Sequence, residues 1–130
     1  MELEDYSNLT PVQRFFYGKS VFLTGVTGLV GKVLLEKLLR CCPGIKTVYV
    51  LARSKKNLNA RERLEKIFQT ELFSKVKQVH PNFRSNVCIV EGDITLNGLG
   101  LSLEDFGKIQ AHVSIVMHVA ASVNFSSPLK

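Results

Sequence analysis

Apolar positions along the chain recur with two different spacings, and the alternation between them lays out the elements. Lys19–Thr24 (KSVFLT) is a short apolar run rich in β-formers, followed at once by Gly25, Gly28 and Gly31. From Leu29 to Arg40 the spacing turns helical, with Leu29, Val30, Val33, Leu34, Leu38 and Leu39 on one side. Lys32, Glu36 and Arg40 lie four apart on the side expected to be wet, where they can pair. Pro43 and Gly44 end this helix. Thr47–Ala52 (TVYVLA) is nearly all apolar, as suits a strand covered on both faces. Asn59 is placed to cap the next helical stretch. There Leu64, Ile67, Phe68, Leu72, Phe73, Val76 and Val79 recur at helical intervals, as one helix or two, limited by Pro81. Asn86–Glu91 predicts a third strand, Ser102 caps a helix over Leu103 to about Gln110, and Val113–Val119 predicts a fourth strand.

Strands alternating with helices predict right-handed βαβ crossovers, hence an α/β fold with a doubly wound parallel sheet. The expected order of the first four strands is 3-2-1-4. Strand 4 would then be an edge that the fold normally covers with a fifth strand, so the sheet is expected to be incomplete. Residues 1–17 are polar and read as a lead-in; residues 18–130 read as the N-terminal part of the domain, stopping before its active site.

The glycines carry the chemistry. Thr24-Gly25-Val26-Thr27-Gly28-Leu29-Val30-Gly31 follows a predicted strand and opens a predicted helix. Gly25 allows the sharp turn, Gly28 lets backbone approach a pyrophosphate, and Gly31 lets the helix pack closely on the strands. Amides at the helix start would face the diphosphate, with the positive end of the helix dipole behind them. A P-loop is excluded, because its remaining glycine and its Ser or Thr would fall on Val26 and Val33. The expected domain is therefore an NAD(P)-binding Rossmann-like fold.

The end of strand 2 bears on the choice of cofactor. NAD-specific folds place an acid there, on the ribose hydroxyls. Here the run is Leu51-Ala52-Arg53-Ser54-Lys55-Lys56, without an acid. Arg53 can hold a ribose 2′-phosphate through its planar fork, which favours NADPH over NADH. Lys56 is a further phosphate candidate beside Lys55; the alternative for this basic run is a solvated loop. Strand 3 ends in Gly92-Asp93-Ile94. Asp93 there either accepts from the adenine amine, with Ile94 against the ring, or caps a turn. Strand 4 ends in Val119-Ala120-Ala121, small enough for a cofactor to approach the backbone.

Composition narrows the classes. The 130 residues are 45% hydrophobic and 22% charged, as in one ordinary globular domain. Seventeen Lys+Arg against 11 Asp+Glu give +6. That balance suits nucleotide phosphates, coenzyme A, nucleic acid or an acidic membrane, and equally a solvated basic surface. A nucleic-acid surface needs basic and aromatic residues clustered on one face, and the pattern offers none, so no nucleic-acid partner is expected. Cys41, Cys42 and Cys88 form no regular framework and point to a reducing compartment, and no Cys/His spacing suggests a metal. The N-terminus lacks the apolar core of a signal peptide, and no apolar run approaches the ~20 residues of a membrane span. A cytosol-facing chain is expected.

TGVTGLVGK, EGDI and HVAASVNF resemble the extended short-chain dehydrogenase/reductase superfamily. PVQRFFYGKSVFLTGVTGLVGKVLLEKLLRCCP, VYVLARSKK, RERLEKIF, EGDITLNGLGLSLED and VMHVAASVNFSSPLK resemble, more narrowly, its fatty acyl-CoA reductase branch of insect type. The likeness covers nearly all the chain after about Thr10, with Val26 and Val30 as conservative departures. It implies NADPH-dependent reduction of long-chain fatty acyl-CoA to fatty alcohol, with this chain as an N-terminal, cofactor-binding part. Thr24, Gly25, Thr27, Gly28, Leu29, Val30 and Gly31 would hold the pyrophosphate. Arg53 would meet the 2′-phosphate, and Asp93 and Ile94 the adenine. Val119, Ala120 and Ala121 would line the nicotinamide-ribose side. Acyl-CoA contacts would lie mostly beyond this chain, as would any attachment to an endoplasmic-reticulum or peroxisome membrane.

The family's Tyr-x-x-x-Lys pair is not found here: Tyr6, Tyr17 and Tyr49 are followed four places on by Thr10, Val21 and Arg53. No catalytic residue is assigned. Another extended reductase or epimerase, and a non-catalytic NADP-binding module, remain alternatives. His118 reads as a strand-end histidine packed near the cofactor site, and His80 and His112 as exposed turn residues. The basic, amphipathic stretch 61–77 either covers the sheet or touches a membrane or acyl-CoA.

Overall fold

In the computed structural model, which describes residues 7–55 and 57–119, four parallel strands form one sheet. They are β1 (Ser20–Thr24), β2 (Thr47–Ala52), β3 (Val87–Glu91) and β4 (Val113–His118), in the order β3-β2-β1-β4. The predicted order and all four predicted strands are present, with ends moved by at most one residue. Register brings the carboxyl ends level: Thr24 lies beside His118, and Ala52 beside Glu91.

The helices are α1 (Pro11–Phe16), α2 (Leu29–Cys41), α3 (Ala60–Phe68), α4 (Ser74–Val79) and α5 (Leu103–His112). α1 lies within the stretch read as a polar lead-in. Thr10 and Gln13 form a reciprocal capping box around Pro11, a strong local start signal. Gln13 Nε2 donates to the Cys41 carbonyl at 2.9 Å, tying α1 to the end of α2, and Phe16 is buried in the core.

Alternate residues of β1 and β2 feed two cores. Val21, Leu23, Val48, Val50 and Ala52 pack with Leu35, Leu38 and Leu39 of α2 and with Leu64, Ile67, Phe68, Phe73, Val76 and Phe83. Phe22, Tyr49, Leu51 and Val90 face the other way, under Leu99, Leu101 and Ile109. One face is thickly covered. The other carries α5, none of whose residues is buried.

Two expectations for α2 are corrected. Leu29 and Val30 are 78% and 67% exposed, and Val33 is exposed as well. The buried stripe is Gly31, Leu35, Leu38, Leu39 and Cys42, set by the close approach of the helix start to β1. Glu36, expected on the wet side, is buried, and Arg40 Nε reaches its two carboxylate oxygens at 2.8 and 3.2 Å. The helical region after Asn59 resolves into α3 and α4 joined by a 3-10 turn at Glu71–Phe73. Its apolar side covers the sheet, although Leu72 and Val79 remain exposed.

Candidate functional site

At the carboxyl ends of the strands lies an open cleft of about 420 Å³. Three segments build its walls: the turn Gly25–Gly28, the end of β2 with Arg53 and Lys55, and Gly92–Thr95 after β3. Arg63 from α3 and Val119 complete it.

The first wall follows from glycine geometry. Gly25 has φ +82°, a left-handed conformation that L side chains rarely adopt. The turn closes through a 3.1 Å bond from the Gly28 N–H to the Gly25 carbonyl. A Cβ on Gly31 would sit 1.9 Å from the Gly25 oxygen, so the α2 backbone rests directly on the turn. A Cβ on Gly28 would meet nothing nearer than 3.5 Å and would project beside the open cleft. Gly28 is also the N-cap of α2 and offers no side-chain acceptor, whereas Thr10, Asn59 and Ser102 each cap their helices. The first-turn amides of α2 are thus left for an anion.

The second wall is tied down at several points. Lys55 and Leu58 exchange backbone hydrogen bonds of 2.9 and 3.1 Å, folding the loop back on itself. The Ser54 hydroxyl donates to the Glu91 carboxylate. Arg63 Nη1 donates to the Arg53 carbonyl at 2.6 Å, bringing a second guanidinium to the same end of the cleft. The Asn59–Glu62 capping box starts α3 at the point that aims Arg63 there.

Asp93 both caps a turn and faces the cleft. Its Oδ1 accepts from the Thr95 N–H at 2.9 Å and the Thr95 hydroxyl at 2.7 Å. Its Oδ2 lies 3.5 Å from Arg53 Nη1. The two Thr95 bonds, with the Arg53 charge adding to them, hold the carboxyl below the usual carboxylate range.

Among the residues singled out from sequence, Gly25, Thr27, Gly28, Arg53, Asp93, Ile94 and Val119 come together around this cleft. Leu29 and Val30 lie exposed at the helix start, and Gly31 is buried under the turn. Thr24 is buried behind it, and its Oγ1 shares a 2.8 Å hydrogen bond with His118 Nδ1. Lys56, Ala120 and Ala121 lie outside the described residues. Arg63, Gly92 and Thr95 also line the cleft and had not been picked out from sequence. His112 is exposed; His80, half-buried, shares a 2.8 Å hydrogen bond with Asn86 Oδ1. Among the described residues no group of His, Cys, Asp and Glu is placed to hold a metal ion, and no helix is long and apolar enough to cross a membrane.

A cleft at the carboxyl ends of a 3-2-1-4 parallel sheet, over a glycine turn into an uncapped helix, defines a dinucleotide-binding Rossmann domain. Residues 23–130 match an NAD-binding family model described as male sterility protein. The chain belongs to this family, and its cofactor is a nicotinamide dinucleotide. It is 42% identical over 128 residues to fatty acyl-CoA reductase wat of Drosophila melanogaster, covering 98% of this chain and 25% of that protein. It is 39% identical over 122 residues to human fatty acyl-CoA reductase 1, covering 94% and 24%. It therefore spans about a quarter of the length of the curated relatives it matches. Among solved structures, the reductase domain of a non-ribosomal peptide synthetase from Mycobacterium tuberculosis superposes with a TM-score of 0.66 at 27% identity, covering 97% of this chain and 30% of that one.

Proposed function

We propose that this chain binds NADPH and supplies the cofactor-binding part of an enzyme that reduces long-chain fatty acyl-CoA to fatty alcohol. The observation that carries the NADPH reading is the pair of guanidinium groups, Arg53 and Arg63, at the β2 end of the cleft, where NAD-binding folds keep an acid. The acyl-CoA reading rests on the relatives named above.

In this reading the backbone from Thr24 to Gly31 cradles the diphosphate, with Gly28 giving the room and the α2 amides, Leu29 and Val30 included, giving the field. Arg53 takes the 2′-phosphate, joined by Arg63 and Lys56. Asp93 accepts from the adenine amine, and Ile94 packs on the ring. Val119, Ala120 and Ala121 flank the nicotinamide ribose. When bound, the nicotinamide would supply hydride to the acyl carbonyl, two equivalents being needed to take the thioester to the alcohol with coenzyme A released as the thiol. This chain's residues fix where it is presented.

Calorimetry on the protein expressed from its complete reading frame tests this reading. NADPH is expected to bind about tenfold or more tightly than NADH, one charge-assisted contact to the extra phosphate being worth about 1.5–3 kcal/mol. Equal affinities would overturn the NADPH assignment, and no binding of either would overturn the site. Incubating the same protein with a long-chain acyl-CoA and NADPH should yield the alcohol. The likeness to the peptide-synthetase reductase domain supports, as second reading, a reductase of a different substrate; product analysis across candidate substrates decides between the two.

A further inference from the structure

Arg53 and Asp93 have been given separate tasks in the cleft, one toward a phosphate and one toward a base. They also face each other. A guanidinium and a carboxylate free to settle close a two-pronged pair with both bonds near 2.8 Å. Here a single contact forms, at 3.5 Å, and the Arg53 side chain stays 60% exposed. The reason lies on the other oxygen of the carboxylate. Asp93 Oδ1 takes both the N–H and the hydroxyl of Thr95, at 2.9 and 2.7 Å, so that oxygen already holds two donors.

We propose that Thr95 is a positioning residue for cofactor choice: by holding one oxygen of Asp93 it keeps that carboxylate from closing on Arg53, leaving the guanidinium available to a ribose phosphate. The proposal rests on the NADPH reading above and deepens it. Thr95 itself need not touch the nucleotide. Without its hydroxyl, Oδ1 keeps only one donor, and the carboxylate can rotate to pair with Arg53 through both oxygens. A 2′-phosphate would then have to displace an internal anion before it could bind. NADH, which makes no demand on Arg53, would feel the change far less.

The experiment compares NADPH and NADH dissociation constants for the protein from its complete reading frame and for T95V, T95A, T95S, R53M and R53M/T95V. Thr95 is exposed and the valine is isosteric, so the fold should hold; the thermal midpoint checks this, and T95A gives an independent reading if T95V is perturbed. T95V and T95A are expected to lower the NADPH-to-NADH preference about fivefold, the upper range for one exposed charge pair. T95S, which keeps the hydroxyl, is expected to restore it to within about twofold. In the R53M background the valine should change the preference no further, since the two residues act through one pair. A preference unchanged in T95V and T95A, or an equal fall with Arg53 already removed, would overturn the role of Thr95 while leaving the NADPH reading in place. A wild-type protein that binds both cofactors equally would overturn that reading, and this proposal with it.

Discussion

The carbonyl oxygen of Gly25 lies 1.9 Å from the place a Cβ would take on Gly31, so the turn and the first coil of α2 are packed backbone on backbone. Alanine there gains about 1 kcal/mol in helix propensity but meets an overpacking cost of about 3 kcal/mol. G31A is expected to lower stability by about 2 kcal/mol, read from the urea midpoint. G28A is the contrast: its methyl finds no neighbour within 3.4 Å and stands beside the cleft. It should unfold at nearly the wild-type midpoint while binding dinucleotide about tenfold more weakly, a 1.4 kcal/mol loss.

Glu36 places a carboxylate in the α2 core face with a side chain only 7% exposed, compensated by Arg40. R40M strands that charge and should cost about 2 kcal/mol in chemical denaturation. Removing both, as E36L/R40M, is expected to recover most of the loss, because a buried pair adds little over apolar residues of similar size. A double variant as unstable as R40M alone would contradict this account.

Glu65 and Arg84 form a two-pronged pair, at 2.7 and 3.1 Å, beside the Phe68–Phe73–Phe83 cluster. The hydrogen bonds from Arg84 pull the Glu65 carboxyl below its ordinary range. A folded-state value depressed in this way adds stability above the unfolded value, about pH 4.3, and loses it as pH falls through the lower folded value. Wild type and E65Q should therefore differ at neutral pH and converge as pH falls through the lowered folded-state value. Denaturant titrations across that range would show the convergence, and parallel curves would rule it out.

Arg63 shares the β2 end of the cleft with Arg53 and steadies the Arg53 carbonyl. R63M is expected to weaken NADPH about tenfold or more, in line with one charge-assisted bond, with R63K recovering part of it. Fluorescence titration with NADPH measures both, and an unchanged constant in R63M would remove Arg63 from the site.

Strands were legible because a parallel sheet buried on both faces writes itself as unbroken apolar runs; β2 appears at the predicted Thr47–Ala52. The face of α2 was not, because its anchor is Gly31, which carries no hydrophobic signal of its own. Leu and Val spacing groups Leu29, Val30 and Val33 with Leu38 and Leu39; the last two are buried, and the first three overhang solvent. α1 was missed although Thr10-Pro11-x-Gln13 is a start signal, since its six residues show too little periodicity. In the site, the glycine turn, Arg53 and Asp93 could be read from strand ends. Arg63 and Thr95 could not: Arg63 meets the cleft through the start of α3 at Asn59 and the fold-back of Lys55 on Leu58, which no motif announces. The hydroxyl of Thr95 matters through a neighbour's carboxylate rather than through any motif.

α5 and β4 leave a greasy flank: Leu103 is 93% exposed and Val116 64%, beside a strand with no hydrogen-bonded neighbour on its outer side among the described residues. These 130 residues purified alone should therefore behave as poor colloids. Light scattering would climb with concentration and fall when mild detergent coats that flank.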